Sequence, residues 1–216
     1  KSYIASKAGE AALRESGVSG VVVNLGGDVV IRGAQAERVD IANPLSDAEN
    51  SAPLARLLVK DRAVATSGNY RRGVSIDGKW YSHIVDPRTG MPVDHVVSAT
   101  VIAPTAADAG ALATALNVVS VEDAPRLAAK TPGAEYMLIA ANGRRIQSAG
   151  WRAMELPLAA APTVQAAGAG AWNPAFELVV SLELSRFDGR AYRRPFVAVW
   201  IEDKDRFPVR TLALWF

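Results

Sequence analysis

Short runs in which apolar and polar residues alternate dominate the first part of the chain and predict a protein rich in short strands. The run at residues 21–25 is apolar almost throughout, which predicts a strand buried on both faces. Asp77-Gly78 and Asn142-Gly143 predict hairpin turns, because these pairs readily adopt the positive φ that tight turns need. The other predicted strands and hairpins of this part are residues 29–31, 54–59, 63–66, 73–85, 97–103, 135–140 and 144–148.

Three stretches predict helices. Residues 6–16 carry apolar residues on one face, with Ser6 as the cap and Gly17 as the stop. Residues 106–118 are rich in alanine and leucine, with Thr105 as the cap, and residues 122–129 form the third helix. Many strands with few helices predict an α+β fold, in which a mixed sheet is layered with helices.

A change in composition predicts a boundary. Residues 157–174 are rich in alanine, glycine and proline and nearly uncharged, so we interpret them as a linker between a domain at 1–156 and one at 175–216. The second region predicts strands only, at residues 176–184, 195–202 and 209–216, with a turn at Asp188-Gly189. Because the last strand runs to Trp215-Phe216 without a polar cap, we expect this domain to be incomplete or completed by a second chain or missing segments.

Composition and charge exclude several classes of protein. Half of the 216 residues are hydrophobic and 21% are charged, as in a globular protein with a real core. The net charge of +2 is too small and too evenly spread to indicate nucleic-acid binding. The absence of cysteine excludes disulfides and thiolate metal sites, and no apolar run approaches the ~18–20 residues that span a bilayer.

The stretch with the densest candidate chemistry is Y-S-H-I-V-D-P-R-T-G-M-P-V-D at residues 81–94. It holds His83, one of two histidines in the chain, on a predicted strand just before a turn at residues 86–90. This position suits a proton-transfer group facing an anionic ligand. Residue chemistry alone also allows a structural histidine beside a turn, and both interpretations stay open.

Two further stretches suit a phosphate ligand. Gly26-Gly27 lets a ligand approach the backbone, although the residues alone favour a plain β-bulge or turn. Small hydroxyl residues lie beside Arg71 and Arg72 within residues 66–72, which suits the phosphates or ribose of a dinucleotide. The alternative is that this stretch is a solvent-exposed segment beside a hairpin, without a ligand.

Five ordered motifs resemble one family. S-H-I-V-D-P-R-T-G-M-P-V, together with K-S-Y, V-N-L-G-G-D, A-T-S-G-N-Y and A-L-A-T-A-L, resembles the ApbE family of FAD:protein FMN transferases over roughly residues 1–155. The resemblance begins in the middle of that family's domain. R-R-P-F-V-A-V-W-I-E-D and V-R-T-L-A-L-W resemble the start of an uncharacterised β-rich domain found behind ApbE-like domains.

The resemblance implies a function and a site. It implies transfer of FMN from FAD to a threonine or serine of a target protein, with FAD and Mg²⁺ as cofactors, an acceptor protein of a redox complex as partner, and a periplasmic or membrane-associated location. It implies that His83 is the catalytic base. The residues implied to contact the flavin or the dinucleotide are Tyr3, Gly26, Gly27, Ser67, Gly68, His83, Ile84 and Asp86.

The implied metal site departs from the family pattern. In the family, the Mg²⁺ is held by the backbone carbonyl before the lysine that aligns with Lys1, and by an aspartate and a threonine four residues apart. Thr114 is kept, but Gly110 replaces the aspartate, and Asp108 lies about 120° away from the Thr114 helix face. The expected ligands are therefore Thr114 and, if the helix starts irregularly, Asp108.

The changed metal site opens an alternative function. The chain could be a non-catalytic flavin-binding module with a degraded metal site, and the β-rich region could dock a redox partner. If the chain is a transferase, the replaced ligand predicts weak activity that Gly110→Asp should raise.

Overall fold

The computed structural model describes residues 1–46, 52–158, 197–202 and 208–215. Contacts divide the chain into two compact units: residues 1–46 and 52–158 belong to the first, and residues 197–202 and 208–215 to the second. Within these ranges, none of the helices combines the length and apolar character needed to cross a membrane.

The first unit combines short strands with three α-helices among its described residues. The helices are α1 (Ser2–Ala12), α2 (Ala106–Val118) and α3 (Ala124–Ala128), and a 3₁₀ turn covers Trp151–Ala153. The strands are β1 (Gly20–Leu25), β2 (Asp28–Gly33), β3 (Ala36–Ile41), β4 (Ala55–Lys60), β5 (Ala63–Gly68), β6 (Gly73–Ile76), β7 (Lys79–Ser82), β8 (Val96–Ala103), β9 (Glu135–Ala140), β10 (Arg145–Gln147) and β11 (Glu155–Leu156).

A six-stranded sheet in the order β1-β2-β5-β8-β9-β10 forms the centre of this unit. A smaller sheet has the order β11-β4-β3, and β6 and β7 form a separate hairpin. Every strand pair in these sheets is antiparallel. Strands with a few packed helices confirm the predicted α+β fold class.

The central sheet is buried on both faces because its middle strands are apolar at successive positions. Ala63 and Ala65 belong to a core shared with α1, α2 and α3, whereas Val64 between them belongs to the core shared with β3, β4 and Trp151. Successive side chains of a strand point to opposite faces, so one strand contributes to both cores. The alanines on the helix side leave room for α2 to lie close to β5 and β8.

α2 follows its prediction closely. Thr105 caps it by accepting a hydrogen bond from the Asp108 N–H at 3.1 Å, and Asp108 Oδ2 accepts from the Thr105 hydroxyl at 2.7 Å. The side chains of Ala109, Leu112 and Leu116 are buried against the sheet. The helix ends at Val118, as the sequence predicts.

Other elements differ from the predictions. The first helix starts at Ser2 rather than at residue 6, because Ala5 and Gly9 supply its buried face, and Ser6 lies inside it instead of capping it. The prediction that residues 21–25 are buried on both faces is wrong: β1 is an edge strand, and Val22 is 50% exposed. β3 was not predicted. The predicted hairpin at Asp77-Gly78 is confirmed, with positive φ at both residues.

In the second unit, β12 (Val197–Glu202) pairs antiparallel with β13 (Pro208–Trp215). These strands coincide with two of the three strands predicted for the β-rich region. The predicted strand at 176–184, the turn at Asp188-Gly189 and most of the predicted linker lie outside the described residues.

Candidate functional site

A pocket of about 780 Å³ opens in the first unit, within the size range typical of small-molecule sites. Its walls come from the start of α1, the β1–β2 turn, β3, β5, the segment after β5, the end of β7 and the exposed side of α2. The lining residues that carry its chemistry are Lys1, Ser2, Asn24, Gly26, Gly27, Asp28, Ser67, Gly68, Arg71, Arg72, His83, Gly110 and Thr114.

The β1–β2 turn forms one wall of the pocket. Gly26 and Gly27 are its two central residues, with φ of 56° and 89°, values that favour glycine. The Gly27 N–H donates to Asn24 Oδ1 at 3.1 Å, and the Gly26 carbonyl accepts from Lys1 Nζ at 2.9 Å. The turn therefore offers a side-chain-free surface to a ligand, but the Gly27 N–H is already engaged.

Lys1, Ser2 and Asp28 form a hydrogen-bonded network beside that turn. Asp28 is 5% exposed, and its carboxylate accepts from Lys1 Nζ at 3.0 Å and from the Ser2 hydroxyl at 2.6 Å. Because both carboxylate oxygens have partners, the buried charge is compensated. Lys1 has three donors and uses two, so its half-exposed ammonium keeps one N–H for a ligand in the pocket.

The wall formed by β5 is fixed from behind by a buried residue of α2. Asn117 is fully buried, and its Nδ2 donates to the Ser67 carbonyl at 3.1 Å and to the Ala113 carbonyl at 2.9 Å. At Gly68, an added Cβ would lie 2.6 Å from the ring of Tyr70. The backbone of Ser67 and Gly68 is thus held between α2 and the segment that leads to the arginines.

His83 follows the last residue of β7 and is exposed to the pocket. Its Nδ1 lies 3.0 Å from the Arg72 carbonyl oxygen, which also accepts the His83 backbone N–H at 3.1 Å. A carbonyl only accepts, so Nδ1 must carry the proton in this contact, which leaves Nε2 as an acceptor in the neutral ring. The site therefore holds an imidazole in the tautomer that a general base requires, in a pocket that Arg71 and Arg72 also line.

The expected metal position is the part of the pocket around Gly110 and Thr114. The Thr114 hydroxyl donates to the Gly110 carbonyl at 3.1 Å. Among the described residues, the carboxylates that line this pocket are those of Asp28 and Asp40, which are bonded to Lys1 and Arg56. Across the described ranges, no group of three or more carboxylate, imidazole or thiolate side chains could hold a metal ion. The donor set therefore does not fit Mg²⁺, which prefers one or two free carboxylates.

The sequence model of the ApbE family matches residues 1–138. The chain belongs to the ApbE family. A second model, described as a predicted periplasmic protein (DUF2271), matches residues 177–216.

Relatives within this family carry one name. The FAD:protein FMN transferase of Klebsiella pneumoniae is 39% identical over 132 residues, which is 59% of this chain and 37% of that protein. The same enzyme of Escherichia coli K12 is 39% identical over 131 residues, or 58% of this chain and 37% of that protein. The chain thus spans little more than a third of the length of these relatives.

Solved ApbE structures share the fold. The ApbE protein of Thermotoga maritima superposes with a TM-score of 0.64 at 31% identity, covering 72% of this chain and 51% of that one. A mutant of the flavin transferase ApbE from Vibrio cholerae gives a TM-score of 0.57 at 27% identity, covering 71% and 50% of the two chains.

The structure brings together six of the residues that the ApbE resemblance implied and leaves four elsewhere. Those in the pocket are Gly26, Gly27, Ser67, Gly68, His83 and Thr114. Tyr3 lies outside it, 64% exposed, with Lys7 Nζ 5.6 Å from its ring centre. Ile84 is buried and does not line the pocket. Asp108 does not line the pocket, because its carboxylate is part of the α2 cap.

Asp86 also lies outside this pocket. Arg88 bonds its carboxylate through the side chain and donates its backbone N–H to it, and these contacts lower the pKa of Asp86 from 3.8 to about 2. The carboxylate borders a separate depression with Arg88 and His95. In this arrangement Asp86 stabilises the turn that follows His83.

Sequence reasoning missed two residues that shape the pocket. Asp28 ends the glycine turn but was not singled out as a partner of Lys1 and Ser2, and Asn117 was hidden among the apolar residues of α2. An asparagine at an otherwise apolar position of a helix face was the signal that could have identified the second one.

Proposed function

We propose that this chain is the part of an FAD:protein FMN transferase that holds the pyrophosphate of FAD and the general base. The observation that supports this most directly is the His83 contact with the Arg72 carbonyl, which leaves Nε2 free to accept a proton inside the pocket. Membership in the ApbE family and the shared name of the relatives support the same reaction.

The proposed reaction is an in-line displacement at phosphorus. The hydroxyl oxygen of a threonine or serine on the acceptor protein attacks the phosphorus of the FMN half of FAD, and its proton passes to His83 Nε2. The new bond joins FMN to the acceptor as a phosphoester. The bond from the bridging oxygen to that phosphorus breaks, and AMP leaves with the electron pair.

Fixed cations of the protein offset the charge of the pyrophosphate in this proposal. Lys1, Arg71 and Arg72 all line the pocket, and the Arg72 carbonyl contacts His83. Guanidinium groups bind phosphate oxygens through paired hydrogen bonds, which favours their use at this position. No step is assigned to a metal ion, because the donor set around Gly110 does not fit one.

The test compares the two histidines of the chain. His83→Asn should reduce FMN transfer to an acceptor peptide by about 10²–10⁴-fold while FAD binding is kept, because the amide can replace the Nδ1 donor but cannot take the proton. His95→Asn is the matched control, since His95 Nε2 contacts the Val119 carbonyl at 2.8 Å, outside the pocket. Equal transfer by the parent and the His83 variant would refute the assignment of the base.

A second candidate function is flavin binding without transfer. The observation that favours it is Gly110, which removes the carboxylate expected at the metal position. Under this alternative, the fluorescence of FAD is quenched when the protein binds it, with a dissociation constant in the micromolar range, which corresponds to a binding free energy of about −8 kcal/mol. No AMP is released with any acceptor. AMP release that depends on His83 would exclude it.

We further propose the assembly in which the reaction occurs. Residues 1–156 form the ApbE domain, 157–174 a linker and 175–216 a β-rich domain, in agreement with the two separate family matches. The description of the second family as periplasmic supports a periplasmic location. The proposed partner is an acceptor protein of a redox complex, which FMN would equip with a covalent flavin.

A further inference from the structure

Two departures from the family pattern touch each other in this pocket. By the ApbE resemblance, the family usually has glycine at the position of Ser2, in the K-S-Y motif, and aspartate at the position of Gly110. A Cβ added at Gly110 would lie 2.5 Å from Ser2 Oγ and 3.4 Å from Ser2 Cβ. Real Cβ atoms do not approach an oxygen that closely, so the Ser2 side chain occupies space that an aspartate at position 110 would need.

The Ser2 hydroxyl also has a defined role in that space. It donates to Asp28 Oδ2 at 2.6 Å, while Lys1 Nζ donates to Asp28 Oδ1 at 3.0 Å and to the Gly26 carbonyl at 2.9 Å. A hydrogen-bonded carboxylate that already neutralises an ammonium is a poor ligand for a second cation, because the cation would have to displace both partners. The network thus commits Asp28 to Lys1 and Ser2 and holds the Lys1 ammonium at the pocket.

We infer that Ser2 and Gly110 are a matched pair that excludes a divalent cation from this pocket, and that the Lys1 ammonium contacts the phosphates of the ligand in its place. The ligand class, a nucleotide with a pyrophosphate group, rests on the proposed function. The ammonium suits this role because one of its three N–H groups is unused and its side chain is 47% exposed at the pocket.

The inferred pair leads to a different expectation for Gly110→Asp alone than the sequence did. To accept that side chain, Ser2 must rotate away from Asp28 and give up a hydrogen bond to a buried carboxylate. Gly110→Asp should therefore lower the melting temperature without creating a metal site. The double variant Ser2→Gly/Gly110→Asp removes the Ser2 side chain from that space and should therefore gain a metal site.

The first arm of the test measures metal directly. Mn²⁺, a paramagnetic substitute for Mg²⁺, is titrated into the purified protein and the free ion is followed by electron paramagnetic resonance. We expect no saturable site in the parent or in Gly110→Asp, and one in the double variant. Ala111→Asp is the control, since it adds the same charge at the neighbouring exposed position outside the pocket.

The second arm measures the ligand. FAD binding by the parent should be the same with Mg²⁺ and with excess EDTA, and Lys1→Gln should weaken it by about tenfold or more in both media, as expected for loss of a hydrogen bond to a charged group. In the double variant, EDTA should weaken binding.

Three results would overturn the inference: a Mn²⁺ site in the parent that is lost in Asp28→Asn, FAD binding by the parent that falls about tenfold in EDTA, or Lys1→Gln binding FAD as well as the parent. Absence of FAD binding in both media would instead refute the proposed function. The Mn²⁺ arm would still decide whether the pair excludes the cation.

Discussion

Replacing Asn117 tests how α2 is fixed to the pocket wall. The side chain is fully buried, and its Nδ2 donates to the carbonyls of Ser67 and Ala113. Among the described residues, its Oδ1 is the one buried side-chain nitrogen or oxygen atom without a hydrogen-bond partner. Asn117→Ala and Asn117→Asp remove the same two donors. They differ in what they leave behind, which makes their comparison informative.

The free energies of unfolding of the two variants should differ by about 1–4 kcal/mol. Asn117→Ala loses two hydrogen bonds, about 2 kcal/mol together, but also removes the unpartnered Oδ1, whose burial costs about 1–3 kcal/mol. The net loss in the free energy of unfolding is therefore about 1–2 kcal/mol once a small cavity is included. Asn117→Asp leaves a buried charge facing two carbonyl oxygens, which costs about 3–5 kcal/mol at neutral pH.

Urea unfolding followed by tryptophan fluorescence measures both values. Burial raises the pKa of the introduced carboxyl above its unfolded value of about 3.9, so the folded state takes up the proton first as the pH falls. The cost of Asn117→Asp should therefore shrink between pH 7 and about 4. Ala111→Asp, on the exposed side of α2, should stay within about 0.5 kcal/mol of the parent. An Asn117→Asp protein as stable as Asn117→Ala at pH 7 would refute the reasoning.

Two further predictions concern the turn after His83 and the boundary between the domains. Because Arg88 holds the pKa of Asp86 at about 2, below its ordinary value of 3.8, this contact stabilises the fold above pH ~4 and is lost as the pH falls towards 2. Arg88→Gln should lower the melting temperature at pH 7, and the difference from the parent should close over that interval; a difference that persists at the acid end contradicts the assignment. Limited proteolysis should cut first within residues 157–174, and an initial cut within residues 21–85 would show that the boundary is misplaced.

Local patterns were enough to predict most strands and the second helix. α2 carries its own start signal in Thr105 and a buried face that is apolar except for Asn117, so local and tertiary preferences largely agree. α1 lacks a side-chain cap, and its start at Ser2 depends on Ala5 and Gly9 packing against the sheet. The burial of β1 was overestimated, because apolar content alone does not tell a central strand from an edge strand.

The candidate site was predicted where motifs supply backbone geometry and missed where it depends on contacts between distant segments. Gly26, Ser67 and His83 lie in the pocket because each belongs to a turn or strand end that the sequence marks. Asp86 and Asp108 are both held by neighbours two or three residues away, and these short-range bonds direct their carboxylates out of the pocket. A sequence motif gives the position of a carboxylate along the chain but not which of its possible partners it binds.

The contact between Ser2 and Gly110 bears on whether this pocket is degraded or adapted. Considered one position at a time, each change removes a feature of the family. Ser2 replaces a glycine and its backbone freedom, and Gly110 replaces a carboxylate that would bind the metal. With Gly110 but a glycine at position 2, the space beside Gly110 would be empty and Asp28 would lack its hydroxyl donor. Instead the Ser2 side chain fills that space and donates to the buried carboxylate that anchors Lys1. Because the two changes satisfy each other's steric and hydrogen-bonding requirements, the pocket keeps a fixed positive group facing its ligand, and an adapted site explains the geometry better than a decayed one.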